Sequence, residues 1–502
     1  MLYVKKILCV LLVVSLAFSL FACKTKPVKT NSSDLSETTE GELPDLEDFD
    51  DEDHTQTGQS SPSNSKSTSS KKSSAPAVID MKGATLTIGT KWIDIYGNGK
   101  EGASASGDKW RKWRADFERT YNCKLKNVTI DSYTLFNTVS TKMMAGEKIA
   151  DIMTMQLFDV ESFRHAGLLY SLQKIPGLEL DHSYINKSVL DAFTYKNNSY
   201  LITAGTWVGD VNGLFFNKTL LNKLGLENPY TLVREKKWTM EKLLAMSKAA
   251  TKDTNNDGKL TQADQWGLAI FQTEFMWASL MTNGSKSITY DNGKFTYTLN
   301  NARVLSQLNT YAELSKAKNV VLPEAYSALS GNKFAKGEIL FYSNQSNYLT
   351  FEDCPLKTME DDFGYLPIPT LKAGDPYKNY ASIWMGGLVV PKNTTQLENI
   401  GCLLNAILDQ EKLMAADTDK DQLRMFGGDK DAMEIFKSYA GTLVLDGYIR
   451  QDDFYVNMYL KVLDSVHNTG TTPAAVLQSI DSVMKKNVAD YYANDPDFLL
   501  YN

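Results

Sequence analysis

The run Asp253-Thr-Asn-Asn-Asp-Gly-Lys-Leu-Thr-Gln-Ala-Asp264 spaces oxygen donors as a calcium loop does. Asp253, Asn255 and Asp257 supply side-chain oxygens at positions 1, 3 and 5, and Gly258 permits the turn at position 6. Lys259 offers its carbonyl at position 7, Thr261 a hydroxyl at 9 and Asp264 an acid at 12. Aspartate is one methylene shorter than the glutamate usual at position 12, which shortens a bidentate reach. The same residues also spell an Asx-rich turn that needs no metal. A structural calcium ion and a metal-free turn are thus both open, and no other cofactor is required.

Other chemistry finds less support. Gly97-Asn-Gly-Lys-Glu-Gly102 fits G-x-G-x-x-G, but a phosphate site needs a helix to open directly behind the glycines, and the helix signal starts only after Asp108. Four histidines are present, and the sequence holds no H-E-x-x-H, G-x-S-x-G or Walker loop. Two carboxylates suffice to hydrolyse a glycoside, and 60 acids supply many pairs, so a secreted glycan-acting hydrolase stands as the enzymatic alternative. Cys123, Cys354 and Cys402 are too far apart for a close-spaced metal pattern and read as buried, inert thiols. A net charge of −7 argues against nucleic acid as a partner.

The elements that must position such residues alternate. Ala84-Thr-Leu-Thr-Ile-Gly reads as a strand, and Asp108 as the N-cap of a helix to about Arg119. Leu135, Phe136, Val139 and Met143 share a helical face ahead of the strand-like Ile149 to Met155. Further faces are Val304, Leu305, Leu308, Tyr311 and Ala312; Ile400, Leu403, Leu404 and Ile407; and Val476, Ile480, Val483 and Met484. Strands separated by amphipathic helices imply α/β layers. A folded part of roughly 420 residues exceeds what one core supports, so two lobes are expected.

The N-terminus has its own character. Lys5 and Lys6 precede an apolar stretch from Ile7 to Phe21, too short for a comfortable span and laid out as a secretory signal. Leu20-Phe-Ala-Cys23 resembles the lipobox of bacterial lipoproteins, which makes residues 1–22 the signal peptide and Cys23 the lipidated first residue of the mature chain. Residues 23–82 read as a disordered linker. Asp34 to Asp53 carries eleven acids and no Lys or Arg, and a Ser-rich stretch follows. A coil of that length spans roughly 45 Å, enough to hold a folded body off a membrane surface.

An ordered series of local patterns resembles the family 1 extracellular solute-binding proteins, the maltose-binding-protein-like group. It comprises Ala150-Asp-Ile-Met, Phe158-Asp159, Ala166-Gly-Leu-Leu-Tyr-Ser-Leu172, Leu214-Phe-Phe-Asn-Lys218 and Trp238-Thr239. Gln265-Trp-Gly-Leu268, Phe334-Ala-Lys-Gly-Glu338, Phe363-Gly-Tyr-Leu-Pro-Ile-Pro369 and Gly386-Gly-Leu-Val-Val-Pro391 continue it. The resemblance implies a two-lobed periplasmic-binding-protein-like α/β fold, each lobe a mixed sheet flanked by helices, with the ligand cleft between lobes that close by hinge motion. It places lobe 1 at 84–208 plus 384–440 and lobe 2 at 209–383 plus 441–502.

The implied function is that of a substrate-binding lipoprotein of an ABC transporter. It would be a monomer on the outer face of the bacterial cytoplasmic membrane, touching the membrane through its lipid alone and delivering a carbohydrate to the permease's transmembrane subunits. Sugars are met by aromatic faces flanked by amides and acids. The candidate aromatics are Trp92, Trp207, Trp277, Trp384 and Tyr455; the polar candidates are Gln156, Asp159, Glu274, Asn344 and Asn347. Each has an ordinary alternative as a core or surface residue. A binder of a peptide or another polar solute would need cleft acids and fewer exposed tryptophans.

Overall fold

The computed structural model describes residues 79–502 apart from 91–95, 102–104, 131–137, 206–210, 271, 292–293, 318, 323–327, 352, 381–384, 446–460, 468–470 and 494–502. Every described element belongs to one compact unit, 74–502. The signal peptide, Cys23 and nearly all of the linker lie outside the described residues. The linker expected to reach residue 82 ends sooner, because Met81 is 4 % exposed and packs into the first core.

Eight strands form two four-stranded sheets: β1 (Ala84–Thr90), β2 (Cys123–Thr129), β3 (Ile152–Gln156), β4 (Asn212–Asn217), β5 (Trp266–Ala269), β6 (Ile339–Gln345), β7 (Phe363–Pro367) and β8 (Gly386–Val389). The first sheet has the order β8-β3-β1-β2 and the second β7-β4-β6-β5. β1 runs parallel to β2 and β3, and β8 closes that sheet antiparallel to β3. In the second sheet β5 and β6 are parallel, while β4 is antiparallel to both β6 and β7. All six residues of β4 are buried, as a strand covered on both faces requires.

The helices used below are α1 (Ala105–Thr120), α2 (Leu157–His165), α3 (Met240–Ala250), α4 (Gln272–Thr282), α5 (Ala302–Ser315), α6 (Leu397–Leu413), α7 (Lys430–Ala440) and α8 (Pro473–Ala493). α1 begins three residues before the expected cap, so Asp108 sits in its first turn, where a negative charge favours the helix dipole. α6 buries Ile400, Leu403, Leu404 and Ile407 against Leu86, Ile88 and Ile152 of the first sheet. In α8 the buried positions Val476, Ile480, Met484 and Val488 step by four, a spacing that drifts around a helix of 3.6 residues per turn. The drift leaves Val483 behind, 47 % exposed, off the face expected to bury it.

α7 belongs with the second sheet. Its Phe436 meets Tyr365 of β7 at 6.1 Å and Phe426 at 5.3 Å, and Tyr439 is 2 % exposed. The chain has therefore returned to the second sheet by Lys430, ahead of the expected change of lobe after residue 440.

Candidate functional site

Among the described residues, two of the stretches of chain that pass between the sheets are pinned at both ends. On the first-sheet side, Ile202 and Leu388 exchange backbone hydrogen bonds of 3.0 and 2.8 Å. On the second-sheet side, the Asn212 amide donates to Asn379 Oδ1 at 3.3 Å, and Asn212 Nδ2 donates to the Tyr380 carbonyl at 2.9 Å. The segments 206–210 and 381–384 between these pins lie outside the described residues and include Trp207 and Trp384. Trp92 and Tyr455 also lie outside them.

The strand directions then decide which residues face the crossings. β1 and β3 are parallel, and the C-terminal end of β3 at Gln156 pairs with Gly386, where the chain re-enters the first sheet. Gln156 is 6 % exposed and is the N-cap of α2, whose first turn holds Asp159, also 6 % exposed. The Leu157 amide donates to the Met385 carbonyl at 2.8 Å, fixing the start of that helix against the second crossing.

The second sheet mirrors this arrangement. Asn344 pairs with Gly213 and Gln345 with Asn212, so the C-terminal ends of β6 and of its parallel neighbour β5 lie at the pinned end. Asn347 follows in the short helical turn Ser346–Thr350. Glu274, 4 % exposed, is in the first turn of α4, which begins after the end of β5. Gln156, Asp159, Glu274, Asn344 and Asn347 are thus brought to the strand ends beside the crossings. In parallel α/β sheets those carboxyl ends are where ligands bind.

The chemistry at these ends is that of amides and carboxylates. Asn344 Nδ2 donates to the Tyr342 hydroxyl at 2.7 Å, and its Oδ1 accepts from the Gln345 amide at 2.8 Å. This fixes which way the amide faces and leaves one N–H and one oxygen lone pair for a ligand. Trp277 is placed differently from its sequence expectation. It is 1 % exposed in the core of the second lobe, and its indole presents no open face.

The 253–264 loop is closed on itself. Asp253 accepts from the amides of Asn256 at 2.7 Å and Gly258 at 2.8 Å, and Asp257 Oδ1 accepts from the Lys259 amide at 2.8 Å. Asn255 Oδ1 accepts from the Asp257 amide at 2.9 Å. Asp264 turns inward and accepts from the amide and hydroxyl of both Thr254 and Thr261 at 2.8–3.0 Å. Those bonds, the amides of Thr261 and Thr254 foremost, lower its carboxyl to about 2. Among the described residues no group of three or more His, Cys, Asp or Glu is placed to hold a metal. The hydrogen bonds of Asp253, Asn255 and Asp257 to following amides are of the Asx-turn kind.

A cavity of about 680 Å³ opens at the opposite end of the second sheet, lined by Lys218, Asp361, Arg424 and Asp429 among others. These four are engaged within the chain: Lys218 with Asp429 at 2.9 Å, Asp361 with Asn217 at 2.7 Å and Arg424 with Asp421 at 2.8 Å. Cys123, Cys354 and Cys402 are free, and burial raises all three thiols, Cys123 to about 11. Cys402 is half-buried, less enclosed than expected.

The residues that organise the crossings were not among the sequence candidates. Asn212, Ser346, Tyr365, Asn379 and Tyr439 hold them through partners distant in the chain. The one local signal was an asparagine within the otherwise apolar run Val211-Asn-Gly-Leu-Phe-Phe.

Two sheets flanked by helices, joined by paired crossings with polar residues at the facing strand ends, define a two-lobed solute-binding fold. The chain belongs to the bacterial extracellular solute-binding protein family, whose model matches residues 101–411. Solved structures agree in fold. The sugar-binding protein MalE from Xanthomonas citri superposes with a TM-score of 0.59 at 15 % identity, covering 82 % of this chain and 98 % of that one. The galacto-N-biose-/lacto-N-biose I-binding protein of an ABC transporter from Bifidobacterium longum, in complex with lacto-N-biose, gives 0.58 at 13 % identity over 83 % and 98 %. An ABC substrate-binding protein from Listeria monocytogenes in complex with cycloalternan gives 0.56 at 17 % over 81 % and 99 %. No curated protein matches the sequence. Among the described residues no helix is long and apolar enough to cross a membrane.

Proposed function

We propose that this protein captures a carbohydrate between its lobes, closes on it by hinge motion and delivers it to the permease of an ABC importer, without chemistry of its own. The observation that supports this reading is the position of Gln156 and Asp159 in one sheet, and of Glu274, Asn344 and Asn347 in the other, at strand ends beside the crossings. Amides and carboxylates in pairs suit hydroxyl groups, which both donate and accept, and ligand contacts from both lobes are what favour closure. The solved relatives bound to cycloalternan and lacto-N-biose support a glycan over a peptide. Trp207 and Trp384, in the crossing segments, would supply stacking faces. The Lys5-to-Cys23 series supports a lipid anchor on the outer face of the membrane.

The test is thermal shift against a panel of neutral oligosaccharides, peptides and polyamines, since binding to the folded state raises the melting temperature by mass action. A shift with an oligosaccharide, without release of product, is expected. A shift with peptides or polyamines alone overturns the carbohydrate reading, and product release overturns the transport reading.

A further inference from the structure

We propose that Tyr365 is a positioning residue for ligand capture, its buried hydroxyl tying the first crossing at Val211 to the end of β6 that carries Asn344. The inference rests on the reading of the cleft given above. Tyr365 is 1 % exposed, and its phenolic oxygen lies 2.6 Å from the Val211 carbonyl and 3.1 Å from the Asn344 carbonyl. The single proton serves the nearer carbonyl, with Asn344 as the weaker branch of a three-centre bond. The Val211 carbonyl also accepts from the Ser346 amide at 2.9 Å, so the end of the crossing is held jointly by β7 and by the turn that leaves β6.

The neighbouring residues extend this attachment. Tyr439 of α7 donates its hydroxyl to the Asn212 carbonyl at 2.6 Å. Gly213 makes room for the phenol: a Cβ there would lie 2.7 Å from the Tyr365 hydroxyl and collide with the Leu366 carbonyl. Three consecutive residues, 211 to 213, are thus adapted to two tyrosine hydroxyls. The Tyr365 ring is held independently by Phe215 at 4.8 Å and Phe426 at 5.6 Å. Removing the oxygen alone therefore leaves the ring packed.

A contact made at Asn344 biases closure only if the crossing moves with the strand that bears it. The strand pairing of Asn212 with Gln345 and the two hydrogen bonds between Val211 and Ser346 already join the crossing to β6, and the Tyr365 hydroxyl adds a tie from β7 to both. Without it, the two ends are held by each other alone, and part of the ligand's binding free energy goes into re-ordering them.

The experiment compares Tyr365→Phe with Tyr195→Phe. Tyr195 is also buried, 4 % exposed, but its hydroxyl donates to Glu161 of α2 at 2.8 Å. Backbone amide exchange, measured without ligand, should speed up roughly tenfold around 211–213 and 344–346 in Tyr365→Phe and stay unchanged there in Tyr195→Phe. Affinity for the sugar found by the panel should weaken roughly three- to tenfold in Tyr365→Phe alone, although both variants lower the melting temperature. Unchanged exchange in Tyr365→Phe overturns the tie whatever the affinity, and faster exchange with wild-type affinity overturns its role in capture. If the wild type binds no sugar yet the exchange difference appears, the carbohydrate reading fails while the tie stands.

Discussion

Asn212 reaches across to Tyr380, its Nδ2 donating to the backbone carbonyl at 2.9 Å, and so joins the two crossings where they meet the second sheet. Asn212 is 3 % exposed and Tyr380 2 %, so water cannot readily replace either partner. Asn212→Ala should destabilise the protein by about 1–3 kcal/mol, the cost of leaving a buried carbonyl without its donor. Urea unfolding measures the loss; an unchanged midpoint would show that the joint carries no load.

Trp277 and Trp207 should behave oppositely. Trp277 is enclosed in the second lobe, and its replacement by alanine should cost about 3–5 kcal/mol through the cavity left behind. Trp207→Ala should leave the melting temperature close to wild type and weaken sugar binding. Paired melting and titration curves check both. A stable Trp277→Ala with weakened binding would place that indole at the ligand instead.

The 253–264 loop predicts a pH response. The Asp264 carboxyl is held near 2, below its usual value of about 4 in an unfolded chain. Its stabilisation is therefore complete above the unfolded value and is lost as pH falls through the folded one, between about pH 4 and pH 2. Asp264→Asn should lower the melting temperature at neutral pH and flatten its fall over that interval. Because the side-chain oxygens are already engaged, a chelator should leave the melting temperature unchanged. A drop on chelation would favour the calcium alternative.

Cys23→Ala should release the protein from membranes or leave its signal uncleaved. Fractionation with N-terminal sequencing distinguishes these outcomes from retention of an unchanged mature protein, which would remove the anchor.

The sequence disclosed what depends on local periodicity. Ile400, Leu403, Leu404 and Ile407 are each at most 1 % exposed, as their spacing implies. Placement at a strand end was likewise legible for Gln156, which directly follows the apolar run Ile149 to Met155. The Tyr365 and Tyr439 contacts were not legible, since the carbonyls they meet lie 154 and 227 residues away. Nothing in the spacing of a tyrosine marks whether its hydroxyl ends in water or on a distant backbone. The allegiance of α7 was hidden for the same reason: its amphipathic face fits either sheet, and tertiary packing on β7 decides.

The return of α7 to the second sheet bears on the order in which the protein can be assembled. A chain emerging N-terminus first presents Asn212 well before Tyr439, the residue that caps its carbonyl 227 positions later. Strands β4 to β7 appear in between, and so do β8 and α6, which belong to the other sheet. The second core therefore stays unfinished until most of the polypeptide is out, and the first lacks β8 and α6 until nearly as late. Neither half can be sealed early. Such interleaving favours slow, late consolidation over domain-by-domain folding, and keeps the nascent chain threadable for most of its length.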